Sequence, residues 1–180
     1  VELTDRLITA GIKTVLHNAP IVMAEPENYD ARAEVMWSGT LAHNTFLHTG
    51  RVGDWGSHKI EHELSAEYDI AHGAGLAIVF PAWMKYAIRQ HPKKIAQFAT
   101  DIFDVPADFG SETEIALEGV RRLEAFYQSL KMPICLCDAG ITGLNREKLA
   151  ARALPTETAT VGEYIKLHRS DIEEIYKLAE

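Results

Sequence analysis

The amino-acid sequence predicts an all-α fold, a bundle of roughly seven to nine helices. Apolar residues recur at spacings of three and four along most of the chain, which is the helical period. Two Ser-x-x-Glu capping boxes indicate later helix starts, one at Ser111 with Glu114 and one at Ser170 with Glu173. Only residues 133–137 resemble a short strand.

The first third of the chain contains two predicted helices. The first has its apolar face between residues 3 and 16, and Pro20 and Pro26 are expected to break the pattern after it. The second runs from about Tyr29 to about His48. Its inward-facing residues are expected to be Val35, Met36, Gly39 and Phe46.

A third predicted helix follows a glycine-rich stretch. Ser57 suits an N-cap, and the helix is expected to extend from His58 to about Tyr68. Gly73 and Gly75 are typical of the next turn, and residues 76–88 form a strongly apolar segment. Pro81 is expected either to kink this apolar segment or to start a new turn.

Composition and charge exclude several classes of partner. The net charge of -8 argues against a nucleic-acid partner, which needs clustered Lys and Arg. We expect no membrane partner, because no apolar run looks long enough to cross a bilayer. Cys135 and Cys137 are too close for an ordinary structural disulfide, so they are expected to be two small buried residues of a cytoplasmic protein.

Histidines are concentrated in one part of the chain. Five of the eight lie between residues 43 and 72. His58 and His62 are four apart and share one face of the predicted helix, and His72 follows ten residues later, where a turn would bring it back. Such imidazoles suit Zn or Fe. A solvated helix face or a hydrogen-bonded core pair is the alternative.

The spacing alone leaves this metal site without a carboxylate. Glu61 and Glu63 are expected to point to other faces of the helix. Asp69 is either a ligand, an N-cap or an acceptor that orients a ligand.

Two segments resemble a known enzyme family. Residues 54–83 read DWGSHKIEHELSAEYDIAHGAGLAIVFPAW, and residues 25–44 read EPENYDARAEVMWSGTLAHN. Both resemble the iron-containing (group III) alcohol dehydrogenases of the butanol dehydrogenase type, and the resemblance extends over essentially the whole chain. It implies that residues 1–180 form a single helical metal-binding domain, the C-terminal half of such an enzyme. The N-terminal Rossmann-like NAD(P) domain is then absent from this chain, which agrees with a sequence that begins at Val1 without Met.

The resemblance also implies roles for the histidines. In this family one Asp and three His hold the metal, and the last two of these ligands correspond to His58 and His72. His62 corresponds to a histidine near the metal that is not a ligand, with a role in proton relay or substrate contact. The Asp and the first His are expected shortly before Val1. Trp55 is expected to face the site, whereas Trp37 and Phe46 are expected in the core.

The function implied is reversible hydride transfer between NAD(P) and a primary alcohol such as butanol, with a divalent metal (Fe or Zn) acting on the substrate oxygen. A homodimer is expected, and the 180-residue chain alone is expected to be inactive. Two alternatives remain open: a metal-dependent hydrolase built on a helical His/Asp cluster, and a non-catalytic metal-binding helical domain.

Overall fold

The computed structural model describes all 180 residues and confirms the all-α prediction. It contains eight α-helices, one 3-10 helix at Phe46–His48 and a single isolated bridge between Val161 and Leu167. The helices are α1 (Glu2–Ala24), α2 (Tyr29–His43), α3 (Gly56–Tyr68), α4 (His72–Ile88), α5 (Pro92–Phe103), α6 (Glu112–Ser129), α7 (Arg146–Ala153) and α8 (Arg169–Leu178).

The chain forms two compact units, Val1–Gly53 and Asp54–Glu180. The first contains α1, α2 and the 3-10 helix, and the second contains α3 to α8. The treatment of residues 1–180 as one domain stays a prediction.

In the first unit, both helices differ in length from the prediction. Helix α1 continues through Pro20, where the ring removes only one backbone donor near the helix end. Helix α2 begins at Tyr29 and is capped by Asn28, whose side chain accepts a 3.1 Å hydrogen bond from the Ala31 amide. It ends at His43, earlier than predicted, because Thr45 adopts a left-handed conformation with φ 67°.

Several apolar residues of this unit are exposed, contrary to the prediction. Met36 is 69% exposed, Trp37 61% and Phe46 53%, whereas Ala31 is buried. Helices α1 and α2 pack on each other, and each buries one narrow stripe of its surface in doing so, so that many of their remaining apolar residues are exposed within this unit.

Helix α1 is long and apolar enough to cross a membrane, judged by length and composition alone. The expectation that no segment meets this criterion is therefore wrong for α1. A single helix of this kind is weak evidence for a membrane, because core helices and signal sequences meet the same criterion, and none of the apolar window of α1 is buried.

The second unit is built around α4, which contacts α3, α5, α6 and α8. Almost every turn of α4 contributes buried side chains, including Ile78, Val79 and Ala82. Gly73 and Gly75 lie inside this helix and not in a turn before it, which corrects the prediction.

The two predicted capping boxes have different outcomes. Ser111 caps α6 as predicted, since its amide donates to Glu114 (2.7 Å) and its hydroxyl accepts from the Glu114 amide (3.3 Å). Helix α8 instead begins after His168, whose amide donates to the Asp171 carboxylate at 2.7 Å. The prediction of Ser170 as the cap is wrong, because Asp171 provides the earlier acceptor.

Cys135 and Cys137 form a disulfide, contrary to the prediction of two separate buried thiols. Their Cα atoms lie 5.3 Å apart in a turn whose central residue, Leu136, is buried and donates its amide to the carbonyl of Ala179 at 2.7 Å. Because Leu136 is held in the core, Cys135 and Cys137 on either side of it lie towards the surface, where their sulfur atoms bond. Cys135 is partly buried and Cys137 is exposed.

Candidate metal centre

The helix that carries the first two histidines, α3, is anchored at its start by Asp54. One carboxylate oxygen accepts from the Gly56 amide at 2.8 Å, and the other accepts from the amides of Glu163 (2.8 Å) and Tyr164 (2.7 Å). Trp55 adopts a left-handed conformation with φ 58°, and the helix follows directly. The predicted N-cap, Ser57, therefore lies inside the first turn, where it is buried.

The inner face of α3 is fixed against the core. Ile60 and Leu64 are fully buried, and the hydroxyl of Tyr176 donates to the Ile60 carbonyl at 2.7 Å. Glu63 forms an ion pair with Arg152 on α7, with an N–O distance of 2.9 Å. These contacts leave the histidine side of the helix facing outward.

A short connection returns the chain to this face. Helix α3 ends at Tyr68, because its C-cap Asp69 takes a left-handed conformation with φ 52°, and α4 begins three residues after this cap at His72. The ring centroids of His72 and His58 lie 5.5 Å apart, and those of His72 and His62 lie 5.2 Å apart. The structure therefore brings together all three histidines singled out in the sequence.

These separations fit imidazoles that share an ion. Two imidazoles bound to one tetrahedral ion at about 2.1 Å have ring centroids roughly 5 Å apart. Both histidine pairs fit this value, so the spacing alone does not decide which pair binds. Neutral nitrogen donors suit a divalent transition metal such as Fe or Zn.

Glu61 is the residue of this site that sequence reasoning missed. It is fully buried, its Oε2 contacts Nδ1 of His72, and its Oε1 accepts from the hydroxyl of Ser65. The expectation that it points to another face is wrong. The signal was present, because a residue three positions after His58 lies within about 60° of it around a helix.

Gly75 makes room for the Glu61 carboxylate. A Cβ atom at position 75 would lie 2.8 Å from both Cγ and Cδ of Glu61, closer than carbon atoms approach each other. Any side chain at this position would push Glu61 away from His72. The glycine is therefore explained by the approach of Glu61 and not by a turn.

The ligand atoms of Glu61, His62 and His72 lie within 4.8 Å of one another and would suit a cation. Both oxygens of Glu61 already have partners, however, so its geometry fits an orienting role better than direct ligation. Trp55 lies beside His58, with ring centroids 5.1 Å apart, and is 56% exposed. The histidines thus lie at an open surface of the second unit.

Asp69 ends α3, and its amide donates to the Ser65 carbonyl at 3.0 Å. Nothing in the structure gives its carboxylate the ligand role considered from the sequence.

The family model for the C-terminal part of the Fe-containing alcohol dehydrogenases matches residues 1–179. Among curated proteins, the chain is 38% identical over 173 residues to the probable NADH-dependent butanol dehydrogenase 1 of Bacillus subtilis. It is 33% identical over 174 residues to NADH-dependent butanol dehydrogenase A of Clostridium acetobutylicum. Each match covers 96% of this chain and 44% of the relative, so the chain spans less than half the length of these proteins.

Solved structures show the same relationship. NADH-dependent butanol dehydrogenase A from Thermotoga maritima matches with a TM-score of 0.90 and 38% identity, over 99% of this chain and 46% of that protein. The aldehyde reductase YqhD from Escherichia coli matches with a TM-score of 0.93 and 29% identity, over 100% of this chain and 47% of that protein.

Proposed function

The chain belongs to the Fe-containing alcohol dehydrogenase family, and on this basis we propose that it forms the helical, metal-binding part of an NAD(P)-dependent oxidoreductase. The reaction proposed is the interconversion of a primary alcohol, such as butanol, and its aldehyde. The named activities of the relatives, butanol dehydrogenases and an aldehyde reductase, support this substrate class.

The observation that supports the proposal most directly is the convergence of three histidines at the junction of α3 and α4. We assign His58 and His72 as metal ligands, and we propose that the rest of the enzyme supplies the remaining ligands. A divalent ion held there, Fe or Zn, would supply a Lewis acid for the substrate oxygen.

His62 has a separate role in this proposal. It is exposed, and its ring centroid lies 5.2 Å from that of His72. A histidine in this position can carry a proton between the substrate oxygen and solvent, since imidazoles exchange protons near neutral pH. The exposed indole of Trp55 would provide an apolar contact beside the same opening.

The nicotinamide cofactor is proposed to bind mainly through the Rossmann-like domain that the family resemblance implies. The relatives include both NADH-dependent and NADPH-dependent enzymes, so the proposal covers either nucleotide.

A chimeric enzyme tests this function. The C-terminal part of the Bacillus subtilis relative is replaced by this chain, and oxidation of NADH and NADPH is measured with butanal as substrate. We expect metal-dependent turnover by the chimera and none by the 180-residue chain alone. A folded, metal-loaded chimera that oxidises neither nucleotide would contradict the proposal.

The same preparation separates the alternative functions. Hydrolysis of phosphoesters or amides without a nicotinamide nucleotide would favour the metal-dependent hydrolase. Metal binding without any turnover, while the unmodified relative is active in parallel, would favour a non-catalytic metal-binding domain.

Assembly and location stay predictions. A homodimer is still expected, and size-exclusion chromatography with light scattering tests it. A cytoplasmic location is still proposed, but the Cys135–Cys137 disulfide removes the argument that was based on free thiols.

A further inference from the structure

We propose that Glu61 is a positioning residue, which holds His72 through Nδ1 and leaves Nε2 as the nitrogen that binds a cation. The inference rests on the proposed function only for the identity of His72 as a ligand. It starts from the contact between Oε2 of Glu61 and Nδ1 of His72.

The burial of Glu61 makes this contact specific. The Glu61 side chain is completely buried, whereas that of His72 is 47% exposed. A buried carboxylate needs hydrogen-bond donors in place of water. Glu61 has two, the hydroxyl of Ser65 on its own helix and the ring nitrogen of His72 on the next.

The consequence for His72 is a fixed tautomer. A neutral imidazole carries one proton, and a carboxylate at Nδ1 keeps the proton on that nitrogen. The lone pair is then on Nε2, at the opposite side of the ring. A carboxylate that accepts from a metal-binding histidine also fixes the ring orientation and makes the ligand more basic.

The packing around Glu61 leaves room for its carboxylate next to His72. Gly75, one turn into α4, gives Glu61 the space that any Cβ atom would occupy. Glu63, which is also buried on α3, pairs with Arg152 instead. Glu63 is therefore a matched control for the loss of a buried carboxylate from the same helix.

The first measurement is the tautomer of His72 in the ¹⁵N-labelled 180-residue chain without metal. Two-bond proton–nitrogen correlation spectra near pH 8, above the ordinary imidazole pKa, distinguish a proton on Nδ1 from one on Nε2. We expect Nδ1–H in the wild type and in Glu63→Gln. In Glu61→Ala we expect a mixture or a shift to Nε2–H.

Glu61→Gln keeps the test informative if Glu61→Ala unfolds. The amide oxygen of Gln still accepts from Nδ1–H, and its NH2 group can donate to the Ser65 hydroxyl, so the tautomer should be retained. Circular dichroism identifies an unfolded variant.

The second measurement is Zn²⁺ titration of the same chains, followed through the ring signals of His72. We expect Glu61→Ala to lower the affinity for Zn²⁺ by about 10- to 100-fold, with a smaller loss in Glu61→Gln and none in Glu63→Gln. A wild-type His72 protonated on Nε2 would overturn the proposal. Equal affinity in folded Glu61→Ala and wild type would overturn it as well.

The two readouts separate this inference from the proposed function. A tautomer that depends on Glu61 would support the positioning of the ring even if the 180-residue chain binds Zn²⁺ too weakly to detect, because the proposed function assigns the remaining ligands to the rest of the enzyme. Zn²⁺ binding with a tautomer independent of Glu61 would support the metal site and contradict the positioning role.

Discussion

The hydroxyl of Tyr176 on α8 donates a 2.7 Å hydrogen bond to the carbonyl of Ile60 in the middle of the histidine helix. Both residues are fully buried, and burial raises the pKa of the Tyr176 phenol well above its ordinary value. The bond therefore fixes α3 from inside the core, on the side opposite the histidines.

Tyr176→Phe removes this hydrogen bond and keeps the ring. We expect the free energy of unfolding to fall by about 1 kcal/mol, the usual net value of a buried hydrogen bond. Urea unfolding followed by circular dichroism measures it. Tyr29→Phe is the control, because Tyr29 is 80% exposed and its variant should match the wild type. Equal stability of the two variants would show that the bond is not stabilising.

Asp54→Ala tests the anchor at the start of α3. Its carboxylate accepts from three backbone amides, those of Gly56, Glu163 and Tyr164. We expect the free energy of unfolding to fall by about 2 to 3 kcal/mol, because hydrogen bonds to a charged group are among the stronger ones. Hydrogen exchange should accelerate at these three amides, with an intermediate effect in Asp54→Asn. Unchanged exchange in Asp54→Ala would contradict the assigned contacts.

Gly75→Ala and Gly73→Ala form a matched pair in the first turns of α4. A Cβ at position 75 meets Glu61, whereas one at position 73 has no atom within 4 Å. We expect Gly75→Ala to lower the free energy of unfolding by about 1 to 3 kcal/mol and to weaken Zn²⁺ binding, because the new Cβ moves Glu61. Gly73→Ala should be neutral or stabilising by up to about 1 kcal/mol, because alanine favours a helix. Thermal unfolding and Zn²⁺ titration of both variants measure the difference, and identical behaviour would refute the explanation of Gly75.

Glu118→Gln tests how the ion pairs of Glu118 on α6 make the free energy of unfolding depend on pH. The guanidinium groups of Arg121 and Arg122 lower the pKa of the Glu118 carboxyl to about 2. Because the folded-state pKa is depressed, the stabilisation is fully present above the ordinary value of 4.5 and is lost as the pH falls towards about 2. Urea unfolding at several pH values should show a shallower dependence in this window for Glu118→Gln than for the wild type. The exposed Glu157 supplies the control, since Glu157→Gln should keep the wild-type slope.

Much of this structure could be predicted from local sequence patterns. The helical period and the Ser111–Glu114 capping box depend on residues close in sequence, and both are confirmed. The spacing of His58, His62 and His72 also predicted their convergence, because one helix turn and one short connection are enough to produce it.

The sequence-based predictions that were wrong depend on tertiary contacts. From the sequence, Gly75 is expected to be a turn residue. A glycine is needed there because the Glu61 carboxylate, which comes from another helix, occupies the space of a Cβ atom. The Cys135–Cys137 disulfide depends on the burial of Leu136 between them, which the spacing of the cysteines does not reveal. The exposure of Met36 and Trp37 depends on how much surface a two-helix unit can bury.

The central claim is that His58 and His72 bind the metal while His62 does not. The most direct measurement is the metal content per chain of the chimeric enzyme, determined by elemental mass spectrometry. The variants compared are His58→Ala, His62→Ala, His72→Ala and the control His17→Ala on α1. We predict that the His58 and His72 variants lose the metal, and that the His62 variant retains it but turns over more slowly. Retention of full metal by His58→Ala together with its loss in His62→Ala would contradict the claim and favour the Glu61, His62 and His72 cluster instead.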